Sequence, residues 1–168
     1  CLINQVSYSL LFRAIEYEIL PYCREHEIGV LPYSPLAQGL LTGKFKSVED
    51  VPEERRRTRF YSTENPLARH GDEGCEEEVF AALDQIGGIC REIDQPMSRV
   101  ALAWLLHKSG IASVIAGARR PDQIRDNAKA VDLKLEDDVI ERLDSVTDSL
   151  KKELGRNPDM WEAESRIK

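Results

Sequence analysis

The residues with the most chemical potential form the stretch Tyr33 to Lys44, YSPLAQGLLTGK, in which two glycines and a terminal lysine follow an apolar run. A phosphate-binding P-loop needs four residues between its first glycine and the Gly-Lys-Ser/Thr triplet. Here Gly39 and Gly43 enclose three, and Phe45 stands where the magnesium-binding hydroxyl would be, so a P-loop is excluded. What remains is a glycine loop just past a strand's C-terminal end. Ligands bind there in α/β folds, because glycine lets the backbone approach an anion; the alternative is a plain turn. A second stretch, Gly117 to Asn127, reads GARRPDQIRDN. Arg119 and Arg120 precede a helix start, where guanidinium charge and helix dipole would act together on a phosphate. Gln123, Asp126 and Asn127 are spaced i, i+3, i+4 on one helical face and could accept from an amine-bearing base such as adenine. The alternative is a capped, solvated helix start. Gln5, beside Asn4, is expected as a buried amide that must find a partner, a ligand amide being one possibility. The Arg55-Arg56-Arg57 run could cover a phosphate, although such runs in loops are usually solvated.

Other chemistries lack their residues. His26, His70 and His107 lie far apart and form no metal-ligand pattern, so no metal site is expected. Cys1, Cys23, Cys75 and Cys90 form no C-x-x-C pair and are read as reduced thiols of a cytoplasmic protein.

The surrounding elements must position these stretches. Leu2–Tyr8 reads as a short strand, and Phe12, Ile15, Ile19 and Cys23 fall at helical spacing up to His26, with Pro21 expected to kink or restart that helix. Ile28–Tyr33 is a second strand, which gives the βαβ rhythm of a parallel sheet. Ser34 to about Gly74 is a long connection rich in Pro, Gly, Arg and Glu, of the kind that is usually functional. Glu76–Asp94 reads as an amphipathic helix weakened by Gly87-Gly88, and Ser98 as the cap of a buried helix over Arg99–Lys108. Ala112–Ala116 is a third strand, Pro121 opens a helix over Asp122–Val131, and Asp137–Leu150 is a last amphipathic helix before a surface extension.

The chain has 168 residues and a net charge of −7, with 42% apolar residues. This composition excludes disordered and fibrous classes, and the charge argues against a nucleic-acid or anionic-membrane partner. No apolar run approaches the roughly 18 to 20 residues that cross a bilayer, and the N-terminus lacks the basic start of a signal peptide. The chain also starts without Met, so an upstream part of a longer protein is expected. Three parallel-type strands cannot close a barrel, and a small parallel sheet leaves apolar faces bare, which points to part of a larger βα array.

Together NQVSYSLL, VLPYSPLAQGLLTGKF and VIAGARRPDQIRDNAKAVDL resemble, in order and spacing, the C-terminal half of the aldo-keto reductases. The likeness is to the branch with channel β-subunit-like and inositol-operon-type enzymes, and it runs from about Leu2 to Leu143. It implies an α/β chain forming strands 6 to 8 of a (β/α)8 barrel: a single partial domain over residues 1–168, with a loop at 46–74 covering cofactor and substrate and an extension at 151–168. It implies NADPH-dependent reduction of an aldehyde or ketone. Gln5 would bind the nicotinamide carboxamide and Tyr33 would stack on its ring. Ser34, Pro35, Leu36, Gln38, Gly39 and Lys44 would strap down the pyrophosphate, Gly117, Arg119 and Gln123 would surround the 2′-phosphate, and Asp126 with Asn127 would contact adenine. Position 123 is often arginine in the family, so glutamine bears on the choice between NADP and NAD. The family's catalytic aspartate, tyrosine, lysine and histidine come from the N-terminal half, so no catalytic residue is expected here. The chain would then be active only in a complete barrel, by pairing with an N-terminal half-barrel, while the bare apolar edge of a half-barrel predicts self-association. The alternative is a non-catalytic fragment or a regulatory or scaffold module of the same fold.

Overall fold

The computed structural model describes residues 2–162. Two parallel strands, β1 (Ile3–Ser7) and β2 (Gly29–Tyr33), lie side by side with Ile3 opposite Gly29 and Ser7 opposite Tyr33. Helix α1 (Ile19–Glu25) carries the chain from one to the other. The helical spacing expected from Phe12 is split. A 3₁₀ turn at Ala14–Glu16 comes first, and α1 restarts so that Pro21 falls in its first turn. A missing N–H costs nothing there, because first-turn amides have no partner within the helix.

The third strand does not form as a continuous strand. The segment 111–115 meets β2 only at two isolated parallel bridges, Val30 with Ile111 and Tyr33 with Ile115. The cause lies in β2. Val30 donates to the Gly110 carbonyl at 2.9 Å and accepts from Ala112 at 2.9 Å. The next donor on that edge would be residue 32, which is proline and has no N–H. The ladder skips a rung and resumes with Ile115 donating to the Pro32 carbonyl at 2.9 Å.

Helix α2 (Glu76–Glu92) buries Val79, Leu83, Ile86 and Cys90 as its period dictates. Helix α3 (Met97–His107) starts two residues earlier than Ser98 would set it, with Pro96 as the capping residue, and is buried nearly all round. Helix α4 (Pro121–Ala128) continues into a 3₁₀ turn at Lys129–Val131. Helix α5 (Asp137–Leu154) runs one turn beyond its expected end and stops at Gly155, whose φ of +67° suits glycine.

A buried polar cluster joins these layers. Arg13 is only 5% exposed. Its guanidinium donates to both Glu16 carboxylate oxygens at 2.9 Å, and to Thr147 and Asp148 on α5 at 2.9 Å. Tyr8 donates to Glu16 at 2.7 Å, and Trp104 of α3 and Lys108, the residue after it, both donate to Asp144 of α5. Burial alone would push the Glu16 carboxyl up. Its bonds to Arg13, Lys151 and Tyr8 outweigh that and hold it at about 2.

The connection 34–74 is ordered by its own anchors: Val51, Thr58, Arg59, Phe60, Tyr61 and His70 are buried. Gly74 closes it at φ +89°, where a Cβ would stand 2.5 Å from the Ser62 amide nitrogen. Among the described residues no helix is long and apolar enough to cross a membrane, and no group of three or more His, Cys, Asp or Glu could hold a metal ion.

Candidate dinucleotide-binding cleft

The backbone leaving β2 turns sharply and holds itself in an uncommon conformation. Ser34, Ala37 and Gln38 have φ of 54°, 46° and 54°, and Gly39 follows at 101°. Each non-glycine residue in the left-handed region costs on the order of 1 kcal/mol or more, and such outliers cluster at ligand sites. A Cβ at Gly39 would stand 3.2 Å from the Lys44 ammonium and 3.6 Å from the Arg55 guanidinium, so both cations lie against this loop. Across from it, after the broken strand, α4 begins with Pro121 as its first residue. Gln123 accepts from the Arg119 and Arg120 amides at 2.8 and 3.2 Å, which fixes the helix entry.

A cleft of about 1040 Å³ lies between the two loops. Of the residues expected at the site, Ser34, Pro35, Leu36, Gln38, Gly39, Lys44, Gly117, Arg119, Gln123, Asp126 and Asn127 all line it. Arg55 and Arg57, whose run the sequence left as solvated, line it too. Lys44, Arg55, Arg57 and Arg119 have no carboxylate partner among the described ion pairs, whereas Arg120, also in the lining, is paired with Asp122 at 3.0 Å. The Lys44 ammonium is pushed down by partial burial and by the nearby charges of Arg55 and Arg119. The two carboxylates in the same lining, Asp122 and Asp126, are each paired with another arginine, Arg120 and Arg99, so these four cations leave the cleft a local excess of positive charge in a chain of net −7, which favours an anionic ligand. Gly117 leaves open space where a Cβ would be, so the cleft floor can be approached closely.

Two expected residues lie outside the cleft lining. Gln5 is exposed on edge strand β1, not buried as the sequence suggested, because no described strand packs beyond β1. Its neighbour Asn4 donates to the Cys23 sulfur at 3.7 Å. Tyr33 sits at the C-terminal end of β2 with its ring stacked on Trp161, centroids 6.0 Å apart and planes 24° apart.

Arg99 is a contributor that sequence reasoning missed. From α3 it donates to Asp126 at 2.7 Å and to Gln95 at 3.0 Å, fixing one carboxylate oxygen of Asp126 and holding that carboxyl down. Nothing in the local sequence marks it, since it lies 27 residues from its partner.

This arrangement belongs to a known class. Residues 1–148 match the Aldo/keto reductase family, and the chain is a member of that family, whose fold is the TIM barrel. It is 38% identical over 80% of its length to an NADH-specific methylglyoxal reductase of Escherichia coli K12, covering 38% of that protein. It is 30% identical over 88% of its length to a probable voltage-gated potassium channel subunit beta of Arabidopsis thaliana, covering 44% of that protein. An L-glyceraldehyde 3-phosphate reductase of E. coli O157:H7 is 31% identical over 77% of this chain, which covers 36% of that relative. The chain thus spans about two-fifths of the length of these curated relatives, and its family is one of oxidoreductases that use a nicotinamide cofactor.

Proposed function

We propose that this chain is the cofactor-binding part of an aldo-keto reductase that reduces an aldehyde or ketone with a nicotinamide dinucleotide, NADPH being the expected form. The observation that carries the reading is the cleft where Lys44, Arg55, Arg57 and Arg119 converge without carboxylate partners. The donor set fits the group. Lys44 and Arg55, held against the Gly39 turn, would take the pyrophosphate, and Arg119 the adenosine 2′-phosphate, with Gln123 setting the loop that presents it. Asp126 and Asn127 would receive the adenine amine, Tyr33 the nicotinamide ring and Gln5 its carboxamide. When bound, the nicotinamide supplies the hydride that reduces the carbonyl. The chain's own residues hold the phosphates, orient the ring and set the depth at which the dinucleotide lies.

In this reading the segment from β1 to α4 forms strands 6 to 8 of a TIM-type barrel with their helices, one partial domain in which residues 46–74 cover the cleft. The catalytic acid is supplied from outside these residues. The parallel pairing of β1 and β2 across a helical connection and the coverage of about two-fifths of the relatives support that reading. A second reading, a non-catalytic regulatory module of the same fold, is favoured by the likeness to the Arabidopsis channel subunit; it keeps dinucleotide binding and lacks turnover in any reconstituted barrel. Calorimetric titration with 2′,5′-ADP, NADPH and NADH tests the shared core of both. The wild-type chain is expected to bind 2′,5′-ADP and NADPH, and Lys44→Ala and Arg119→Ala each to weaken 2′,5′-ADP by about tenfold or more, since charge-assisted hydrogen bonds are worth roughly 1.5–3 kcal/mol. Unchanged affinities in both variants would reject the cleft.

A further inference from the structure

The segment after α5 does not leave the molecule. Arg59, 7% exposed, donates to the Leu154 and Asn157 carbonyls at 2.9 and 3.1 Å, and its amide donates to the Met160 carbonyl at 3.1 Å. The turn is set by Asn157 and Asp159, whose side chains accept from the Asp159 and Trp161 amides at 3.0 and 2.9 Å. Met160 is 4% exposed, and the Trp161 indole is carried onto the Tyr33 ring.

The location of this indole is what matters. Ser34, Gln38 and Arg55 line the phosphate-binding cleft. They also line, with Ser7, Thr58, Met160 and Trp161, a crevice of only about 10 Å³, space for about one water. Trp161 therefore walls the small crevice that shares Ser34, Gln38 and Arg55 with the cleft and reaches Ser7 at the end of β1. Non-bonded carbons settle about 3.5–4.0 Å apart, so a third ring between Tyr33 and Trp161 would need centroids roughly 7 Å apart or more. At 6.0 Å it does not fit.

We propose that Trp161 is a built-in occupant of the nicotinamide end of the cleft: its indole covers the Tyr33 face, and the C-terminal segment must swing it aside before a whole dinucleotide can bind. The proposal rests on the cofactor reading above and adds that the two ends of the ligand meet different resistance. The phosphate and adenosine end enters an open cleft, and the ring end must displace an aromatic contact.

Calorimetry with two probes separates the two ideas. Trp161→Ala is expected to bind NADP⁺ about three- to tenfold tighter than wild type, the scale of a lost aromatic pair. Its affinity for 2′,5′-ADP should stay unchanged, and Trp161→Phe, which keeps a ring on Tyr33, should return NADP⁺ affinity towards wild type. A measurement on the unsubstituted chain covers the case in which Trp161→Ala fails to fold. With 5-fluorotryptophan incorporated, the ¹⁹F resonance of Trp161, assigned with Trp161→Phe, is expected to shift on adding NADP⁺ and stay in place with 2′,5′-ADP. The buried Trp104 resonance should stay in place with both. NADP⁺ binding that leaves the Trp161 resonance unmoved, an equal shift with 2′,5′-ADP, or equal NADP⁺ affinity in wild type and Trp161→Ala would each overturn the occupant. If neither probe binds, the cofactor reading falls, and the occupant with it.

Discussion

Arg99 holds Asp126, a residue of the cleft lining, by a single carboxylate oxygen at 2.7 Å. Replacing it with Gln should weaken 2′,5′-ADP binding by about three- to tenfold, with Lys restoring part of the loss. The affinity for nicotinamide mononucleotide, which lacks the adenosine, should not change; an equal loss for both ligands would mean that Arg99 only supports the fold. Glu16 gives a pH dependence of known sign. Its folded carboxyl lies at about 2, below the ordinary 4.5. Its contribution is therefore fully present above pH 4.5 and is lost as pH falls from there towards 2. That difference amounts to about 3 kcal/mol at most, less because the group is partly screened by solvent. Urea midpoints of wild type and Glu16→Gln should converge as pH is lowered through this window, and a constant gap would contradict the assignment. Burial, with Glu78 and Glu76 nearby, raises the Cys75 thiol to about 12, and burial raises Cys90 to about 11. Both should resist alkylation by iodoacetamide at pH 8 in the folded chain and react once it is unfolded. Much of the cleft was readable at this scale, because Lys44, Arg119, Gln123 and Asp126 sit in two short motifs. Arg55 was offered only as one of two readings of its run, and Arg99 was not legible at all, since it reaches Asp126 through space from a helix whose own sequence says nothing of it.

Among the elements, the helices were legible and the sheet was less so. The apolar period of α2 and α5 follows from burial on one face, and the structure keeps it nearly to the residue. Ser98 was misread as a cap because a hydroxyl is the common signal, whereas Pro96 and Met97 start α3. The strand at 112–116 looks sound in isolation. It fails because of Pro32 on its neighbour, and cross-strand pairing is invisible in a single segment. The 34–74 connection has a comparable point of control at Gly74. Ala there meets backbone at 2.5 Å and requires φ near +89°, so Gly74→Ala should lose more than about 2 kcal/mol in chemical denaturation. Gly71→Ala, with nothing within 4 Å, should cost far less. Equal losses would mean that the connection can move aside.

For the molecule as a whole, β1 is the edge of the described sheet, with Leu2 84% and Ile3 42% exposed beside it. Such an edge invites pairing with another chain. Light scattering should find the chain self-associated, and Ile3→Lys should shift it towards monomer; a compact wild-type monomer would oppose this. Mixing with an N-terminal half-barrel of a family member should in turn restore NADPH oxidation by a generic aldehyde, and a folded but inactive complex would favour the regulatory reading. The Arg59 guanidinium bears on how such a molecule can be altered. It is bonded to Asp72 in the 34–74 connection at 2.5 Å and to two carbonyls of the segment after α5. One buried cation thus seats both segments, so neither can be exchanged by itself. A chimera that takes residues 46–74 from a relative and keeps its own C-terminal segment inherits a mismatched anchor, whereas one that transplants both keeps it. Loop grafting in this chain is a two-segment operation.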